Sequence, residues 1–450
     1  MTDLHSASRE ELIAIITAQQ AQIEALIARV TKLEEEVRRL RGGKGSGTPL
    51  AVKPSRLPKE QKERKPRDRA FVRRREPKPD EVRTHAMESC PDCGRSLHGG
   101  WEHTRRQVIE VLFQTWVVEH VLMARRCGVC QKRWIPQVEA SELGVQGKRR
   151  FGASVQSLVA TLHIGCRVPM RMIGKLMREA CGLHISDGEV VKLLDGLKQA
   201  GEPEIARLKE RVRNSPAVCA DETGWRENGE NGYLWGSFTE EDRYFEYRKS
   251  RAAIVPEEIL GEDFAGVVTC DFYAGYNQVG VLQRCWPHLL RDAKELVELN
   301  ADRPEVAIWT EALRALYREA KAVSIACGEL PANSRVRERE RRRLEKLAAK
   351  LAMPYANDPD APQRVLAQRI MKHLHELFVF VTDPRVPGDN NLAERSLRPA
   401  VIARKISGGT RSPKGSATRM GLMSLLGTWT AQGKGLLPGC REILLPTPAY

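Results

Sequence analysis

Two apolar runs that each lead to an aspartate place the strongest constraint on how this chain folds. In AVCADET the run leads to Asp221, and in GVVTCDFYAGY it leads to Asp271. Short apolar runs of this kind predict buried strands. We therefore expect two similar strands, each delivering a carboxylate at its C-terminal end.

A third acid, Glu394, follows Asp271 by 123 positions in PGDNNLAERSLRP, where Asn390 or Asn391 would cap a short helix. Two strand-end aspartates and a helical glutamate suit a pair of Mg²⁺ ions roughly 3.5–4 Å apart, which can cleave a phosphodiester. The residues alone leave a structural alternative open. Acids at strand ends often cap a helix or bind an arginine, and Glu394 could pair with Arg398 one helical turn later.

Length, charge and cysteine content narrow the class of protein. A chain of 450 residues is long enough for two to four domains. Its net charge of +15 favours a polyanionic partner, and the lack of a basic amphipathic helix with exposed aromatics favours nucleic acid over a membrane surface. No stretch of 18 apolar residues or apolar signal region is present, so neither a membrane span nor export is expected. Eleven cysteines, several within apolar runs, suit a reducing cytoplasm, where the protein would associate with the nucleoid.

Residues 1–41 are predicted to contain a coiled-coil helix, from residue 8 onward. One heptad position is β-branched throughout and the other is mostly leucine, a pattern that favours a parallel dimer. An amphipathic helix packed on its own chain is the alternative. The positions are Ile16, Ile23, Val30 and Val37, and Leu12, Gln19, Leu26, Leu33 and Leu40.

A basic linker is predicted over residues 42–83. From Arg41 to Arg83 the chain holds 15 Lys or Arg and 6 Asp or Glu, a net charge of +9. Such a segment buries too little apolar surface to fold alone, so we expect a flexible tether. Its cations would also add sequence-independent contacts with DNA phosphates.

Residues 84–140 are predicted to form a zinc module. Its two Cys-x-x-Cys pairs lie 33 residues apart, and RQVIEVLFQTWVVEHVLMARRC between them is expected to form a β-hairpin that brings the pairs together. Four thiolates in two such pairs suit a closed structural zinc site. Four free cysteines are the alternative, and three histidines rank below the thiols as ligands. The cysteines are Cys90, Cys93, Cys127 and Cys130; the histidines are His85, His98 and His103.

Residues 141–215 are predicted to be helical. Pro169 would begin the second helix and Gly182 would end it, and Ser186 with Glu189 forms a capping-box pattern for the third. A helix-turn-helix that contacts DNA fits this order, and so does an ordinary helical bundle.

Four strings in a fixed order resemble the transposases of the bacterial insertion-sequence family numbered sixty-six. They are ADETGW, CDFYAGY, CWPHLLRD and DNNLAERSLRP, and the resemblance runs from the cysteines near residue 90 to about residue 430. It implies an RNase H-like core in which Asp221, Asp271 and Glu394 are catalytic and hold Mg²⁺ or Mn²⁺. It also implies a zinc-binding domain at the four cysteines.

The expected fold is therefore a multidomain α+β protein whose RNase H-like α/β core is interrupted by helices. Residues 216–296 would form the first part of the core, residues 297–380 a helical insertion, and residues 381–450 the second part with a C-terminal helix. His288 is expected near the metals. Cations after Glu394 would hold the DNA backbone: Arg395, Arg398, Arg404, Lys405, Arg411 and Lys414.

The function that the resemblance implies is DNA transposition. The protein would bind the terminal inverted repeats of its element and catalyse metal-dependent cleavage and strand transfer. Its partners would be transposon ends, target DNA, a second or further copies of the chain, and accessory proteins of the same element. A simple Mg²⁺-dependent nuclease and a dimeric zinc-containing DNA-binding regulator are the alternatives.

The zinc module yields a direct test. Metal analysis of the purified full-length protein should find about one zinc per chain, because four thiolates saturate a tetrahedral site. Cys90→Ser should lose that zinc, whereas Cys166→Ser, outside both pairs, should retain it. A folded module that contains no zinc would contradict the prediction.

Overall fold

The computed structural model describes residues 78–445, apart from 110, 112 and 146–148. The chain divides into two units, Met1–Ile109 and Glu110–Tyr450. The predicted coiled coil and nearly all of the basic linker lie outside the described residues.

A five-stranded mixed sheet forms the centre of the second unit, with strand order β5-β4-β3-β6-β7. β3, β4 and β5 pair antiparallel, and β6 and β7 continue the sheet parallel to β3. The strings YLWGSF and RYFEYR, in which apolar and polar residues alternate, form the hairpin of β4 and β5. The strands are β3 (Ala217–Glu227), β4 (Glu230–Phe238), β5 (Arg243–Arg248), β6 (Val267–Cys270) and β7 (Val281–Arg284).

β3 is longer than the sequence predicted. The strand was expected to end at Asp221, but it continues to Glu227 because its second half pairs with the start of β4. Only its parallel pairing with β6 stops early, at the pair Cys219 and Thr269. Asp221 therefore lies inside a strand, just beyond the end of the parallel ladder.

The helices before the sheet largely follow their sequence signals. Gly182 ends the second long helix with φ 65°, and Ser186 and Glu189 exchange both hydrogen bonds of a capping box. The helix after Gly152 ends in a π-helical turn, Thr161–Gly165. The helices are α1 (Ala140–Leu143), α2 (Ala153–Ala160), α3 (Met170–Cys181), α4 (Asp187–Ala200) and α5 (Glu202–Arg213).

The remaining helices include the long ones predicted between Asp271 and Glu394. Short 3₁₀ turns lie at Ala274–Tyr276 and His375–Leu377. The helices are α6 (Ile254–Leu260), α7 (Trp286–Leu299), α8 (Pro304–Ala326), α9 (Arg335–Ala356), α10 (Arg364–Lys372), α11 (Val379–Thr382), α12 (Asn391–Ser407), α13 (Pro413–Ala431) and α14 (Leu436–Leu444).

Apolar clusters cover both faces of the sheet. On one face, Cys219 and Leu234 pack with α2–α4 and α12–α14. On the other face, Val218 and Trp235 pack with α5 and α6. A third cluster joins α7 to α8–α11. α7 thus shares a core with the predicted helical insertion, and another face of its first half, with His288 and Arg291, approaches Glu394.

The expected hairpin between the two cysteine pairs is not formed as predicted. The described residues among 101–124 contain no strand, and the short antiparallel pair of this region is β1 (Arg125–Arg126) with β2 (Arg133–Trp134). Trp116 and Val117 are 79% and 87% exposed. A two-stranded ribbon needs an apolar face to pack against, and these side chains lack one among the described residues.

The arginine-rich start of α9 is not a purely solvated face. Arg337 is fully buried and donates to the backbone carbonyls of Leu330, Val381 and Gly328 at 3.0, 3.0 and 2.7 Å. No neighbour in sequence shows that three carbonyls without helical partners surround this position. Arg337 ties the start of α9 to α11.

Arg337 gives a stability test. Arg337→Met keeps much of the volume but removes every donor, so three buried carbonyls lose their partners. We expect the free energy of unfolding to fall by about 3 kcal/mol in urea titrations. Arg339→Met is the matched control, because the Arg339 side chain is 75% exposed, and its effect should stay within about 0.5 kcal/mol. Equal effects of the two substitutions would contradict the assignment.

Candidate active site

The two aspartates lie side by side because of strand register. β3 and β6 pair in parallel with Cys219 opposite Thr269. Continuing this register by two residues aligns Asp221 with Asp271, on strands about 4.8 Å apart. Each carboxylate is also held locally, since Asp221 Oδ1 accepts from the next backbone N–H (2.9 Å) and Asp271 Oδ1 from that of Tyr273 (2.8 Å).

Glu394 reaches the same region through the start of α12. Asn390 is fully buried, and its Nδ2 donates to the carbonyl of Ala220 at 2.8 Å, next to Asp221. Its backbone N–H donates to Cys285 Sγ at 3.2 Å. Glu394 lies one helical turn beyond Asn390 and donates its N–H to the Asn390 carbonyl. This anchor brings the third acid beside the first.

Asn390 has a different role from the predicted cap. It is the N-cap residue of α12, but its side chain makes no capping hydrogen bond. The amide is used instead on Ala220, because a buried strand carbonyl at this position requires a donor. α12 is also not short: it runs from Asn391 to Ser407.

Two side chains of α7 approach Glu394. His288 Nε2 and Arg291 Nη2 lie 3.8 and 3.4 Å from Glu394 Oε1. The expectation that His288 lies near the acids is confirmed. The ion pairs of Glu394 among the described residues therefore go to α7, and Arg398, the alternative from the sequence, is not among them.

Charge repulsion and burial act on Asp221. Burial, and after it the carboxylates of Glu222, Asp271 and Glu394, together raise the pKa of Asp221 from its ordinary 3.8 to about 7, against a lowering by the Glu222 backbone N–H. Carboxylates that resist ionisation together favour binding a divalent cation, which would neutralise them. The charges of Asp271 and Glu394 thus both act on Asp221, so the three sequence-predicted acids lie in the same region.

Glu222 and Arg251 are site residues that the sequence analysis missed. The Glu222 side chain is 3% exposed, pairs with Arg251 at 2.6 Å and accepts from the hydroxyl of Tyr276 at 2.6 Å. The Arg251 guanidinium stacks on the ring of Tyr273 at 3.9 Å. The second acid of ADET was a visible signal for Glu222, but nothing local pointed to Arg251.

Arg284 supports the turn that carries Asp271. It is fully buried, donates to the Asp271 carbonyl at 2.7 Å and pairs with Glu376 at 2.6 Å. The charge of Arg284 is thus compensated by Glu376, which is not one of the three predicted catalytic acids.

The donor set fits Mg²⁺ or Mn²⁺ in kind, because carboxylate oxygens are the hard ligands these ions prefer. Among the described residues, no three His, Cys, Asp or Glu side chains already lie close enough to hold an ion. Asp221 and Asp271 are adjacent through register, whereas Glu394 is paired with cations of α7.

A comparison with protein-family models matches residues 148–418 to the transposase IS66 family. The match covers more than half of the chain and contains Asp221, Asp271 and Glu394. The chain belongs to the transposase IS66 family. A comparison with curated proteins gave no match. The family match begins after the two cysteine pairs, so it covers less of the chain than the resemblance drawn from the motifs.

Family membership supports a general role in DNA transposition. The six cations predicted to hold DNA divide into two groups. Arg395, Arg398, Lys405 and Arg411 are exposed. The other two make contacts within the fold.

The two cations with internal contacts are Arg404 and Lys414. Arg404 donates to the Gly224 carbonyl and to Thr223 Oγ1, and Lys414 pairs with Asp195 at 2.8 Å. Arg404 is thus committed to holding α12 against β3. Lys414 remains 71% exposed despite its partner.

The loop after α12 is anchored to β3. The Thr410 N–H donates to the Arg226 carbonyl at 2.9 Å, and its own carbonyl accepts from Asn228 at 2.8 Å. Trp225 Nε1 also donates to the Thr410 hydroxyl at 3.0 Å. The extended β3 therefore positions the loop that carries Arg411.

Each cysteine pair forms a knuckle turn of its own. The Cys90 carbonyl accepts from Gly94, and the Cys127 carbonyl accepts from Gln131. Backbone N–H groups two and three residues on lower the pKa of the first thiol in each pair, with that of Cys93 acting most on Cys90 and that of Cys130 most on Cys127. Both turns suit metal-bound thiolates, and the four-cysteine zinc site stays a prediction.

No helix in the described part of the chain is long and apolar enough to cross a membrane.

The raised pKa of Asp221 predicts how pH affects stability. The folded protein binds a proton at Asp221 that the unfolded chain releases near pH 4, so metal-free stability should fall as pH rises from about 4 to 7. Asp221→Asn keeps an acceptor for the Glu222 N–H and removes this loss. We expect it to raise stability at pH 8 in EDTA by up to about 4 kcal/mol.

Asp292→Asn is the matched control for this measurement. The Asp292 carboxylate pairs with Arg369 at 2.5 Å, so the Asp292→Asn variant should show no gain in stability at pH 8. Urea unfolding at pH 5 and pH 8 measures both variants. An Asp221→Asn protein with the wild-type dependence on pH would contradict the assigned electrostatics.

Proposed function

We propose that this chain is the transposase of its own insertion sequence, with Asp221, Asp271 and Glu394 as catalytic metal ligands. The observation that carries the proposal is the convergence of the three acids on one region through strand register and the Asn390 anchor. The mixed sheet supports the RNase H-like core that the motifs imply.

The chain's own residues have distinct parts in the proposed chemistry. Asp221 and Asp271 supply ligands from rigid, neighbouring strands, and Glu394 completes the set from α12. Two bound Mg²⁺ or Mn²⁺ ions would activate the attacking oxygen and stabilise the leaving oxygen of an in-line displacement. Glu222 pairs with Arg251 and accepts a hydrogen bond from Tyr276. Its carboxylate opposes the ionisation of Asp221 when no metal ion is bound.

The same site would serve cleavage and joining. Water is the attacking group in cleavage at a transposon end, and the freed 3′-hydroxyl is the attacking group on target DNA. Since both are displacements at phosphorus, no covalent protein–DNA intermediate is required. The exposed cations after Glu394, Arg395 and Arg398 among them, would hold phosphates beside the reacting one.

The N-terminal modules complete the proposal. The coiled coil would join two or more copies, the zinc module and helices α2–α5 would help to recognise the terminal inverted repeats, and accessory proteins of the same element would assist. These roles follow from the sequence patterns and family membership.

The acid triad provides the test of function. Asp221→Asn, Asp271→Asn and Glu394→Gln keep side-chain size but weaken metal binding, so each should cut a duplex carrying the element's end at least about 10²-fold more slowly with Mg²⁺ or Mn²⁺. Each should still fold and bind the duplex in a gel shift. Asp292→Asn, whose carboxylate is committed to Arg369, is the control and should cut at close to the wild-type rate.

The outcomes separate the proposal from its alternatives. Normal cleavage by all three triad variants would exclude catalysis by these acids and favour the alternative of a zinc-containing DNA-binding regulator. Normal cleavage by Glu394→Gln alone would exclude Glu394 and turn attention to Asp389, or to Asp292 if the Asp292→Asn control also cuts slowly. Cleavage without joining of a pre-cut 3′-end to a second duplex would indicate a simple nuclease.

A further inference from the structure

The outer face of α3 is cationic. Arg171, Lys175 and Arg178 are exposed and recur at the spacing of one helix face, spanning about 10 Å along the axis. The opposite face is apolar and buried, with Ile173 and Met177 in the core of α2–α4. α3 thus turns three positive side chains to solvent from a firmly packed backbone.

These cations are not neutralised within the described fold. Neither Lys175 nor Arg178 forms an ion pair with a described carboxylate, including Glu179 of the same helix. Arg171 lies 3.7 Å from Asp187, but the two side chains are 91% and 57% exposed. An exposed ion pair of this kind contributes little to stability and is screened by salt. The charge of Arg171 therefore stays available to an external anion.

The next helix, α4, has the opposite character at its start. Its first turn carries Asp187 and Glu189, and Glu189 closes the capping box with Ser186. The hydrogen bonds from Ser186 lower the pKa of Glu189, so its carboxylate stays ionised. Phosphates would be repelled from this N-terminus, which is the end that a helix-turn-helix inserts into DNA.

The position of α3 relative to α4 is rigid. A Cβ at Gly174 would lie 2.9 Å from the Ile185 carbonyl, so only glycine permits the observed approach of α3 to the turn. Gly182 then reverses the chain with φ 65°. A rigid support holds the three cations in a constant arrangement, which favours binding to a regular array of charges.

We propose that α3, and not the second helix of the pair, is the element of this domain that binds duplex DNA, through phosphate contacts of Arg171, Lys175 and Arg178. This inference rests on the proposed function, since it assumes that the chain handles DNA. It assigns α4 a supporting role, with its capping box holding the helix in place.

The test compares two triple variants of the full-length protein with equal loss of charge. Arg171→Gln, Lys175→Gln and Arg178→Gln together remove the α3 face. Arg342→Gln, Lys346→Gln and Lys350→Gln remove three exposed cations of α9 that form no ion pair with a described acid. Binding to a 40-base-pair duplex of mixed sequence is measured by fluorescence anisotropy between 50 and 300 mM salt.

The α3 variant should lose at least about tenfold in affinity, and its salt dependence should flatten by about 2 to 3 units on a log–log plot, because each lost phosphate contact removes about 0.9. The α9 variant should change little. Equal losses in the two variants would show an effect of net charge alone and overturn the proposal, as would wild-type binding by the α3 variant.

Two further variants distinguish α3 from α4 and chemistry from structure. Lys192→Gln removes the exposed cation near the start of α4, and a loss larger than that of Lys175→Gln would return DNA binding to α4. Replacing Arg171 and Arg178 by lysine should restore most of the affinity, whereas a purely structural role would not be rescued by charge.

The proposed function is checked separately, by Mg²⁺-dependent cleavage with the wild-type protein. Wild-type cleavage with normal binding by the α3 variant would refute the α3 assignment alone. Binding that depends on α3, with no cleavage under any divalent ion, would refute the transposase chemistry and leave the α3 assignment intact.

Discussion

The parallel pairing of β3 with β6 is the constraint on which the rest of the site depends. It sets Asp221 and Asp271 side by side, where their negative charges repel each other. Burial adds to the free energy needed to ionise Asp221. Because the two acids repel each other, they do not stabilise this arrangement. The apolar clusters on both sheet faces stabilise the strands, and the acids occupy the polar margin where the parallel ladder ends.

Repulsion at this margin is balanced residue by residue. Glu222 is compensated by Arg251 and Tyr276, and Glu394 by His288 and Arg291, whereas Asp221 has no cation among its described ion pairs. Asp271 likewise has no cation among the described ion pairs, so both strand acids lack a described cationic partner. A bound divalent ion would relieve this imbalance, which links the stability of the metal-free protein to the proposed chemistry.

Buried arginines in the same unit have a different use. Arg284 and Arg337 carry their charge into the interior to satisfy backbone carbonyls, and Arg404 fastens α12 to β3. The exposed cations of α3 have no such internal partners, apart from the weak contact of Arg171 with Asp187. The high positive charge of the chain therefore serves both the fold and, as we propose, the binding of DNA.

The sequence by itself determined features whose causes lie within a few residues. The turn at Gly182, the capping box of Ser186 and Glu189, the strands formed by the apolar runs before both aspartates and the two long helices between Asp271 and Glu394 follow their local signals, since local hydrogen bonding and periodicity decide them. Motif resemblance supplied the joint role that we propose for the three acids, which spacing alone left open.

Only the tertiary structure decided how those pieces meet. The extension of β3 depends on its pairing with β4, the role of Asn390 on a carbonyl 170 residues away, and the burial of Arg337 on carbonyls of other elements. The partnership of Glu222 with Arg251 likewise depends on strand packing. None of these contacts leaves a periodic or local signal, because each partner is chosen by position in space.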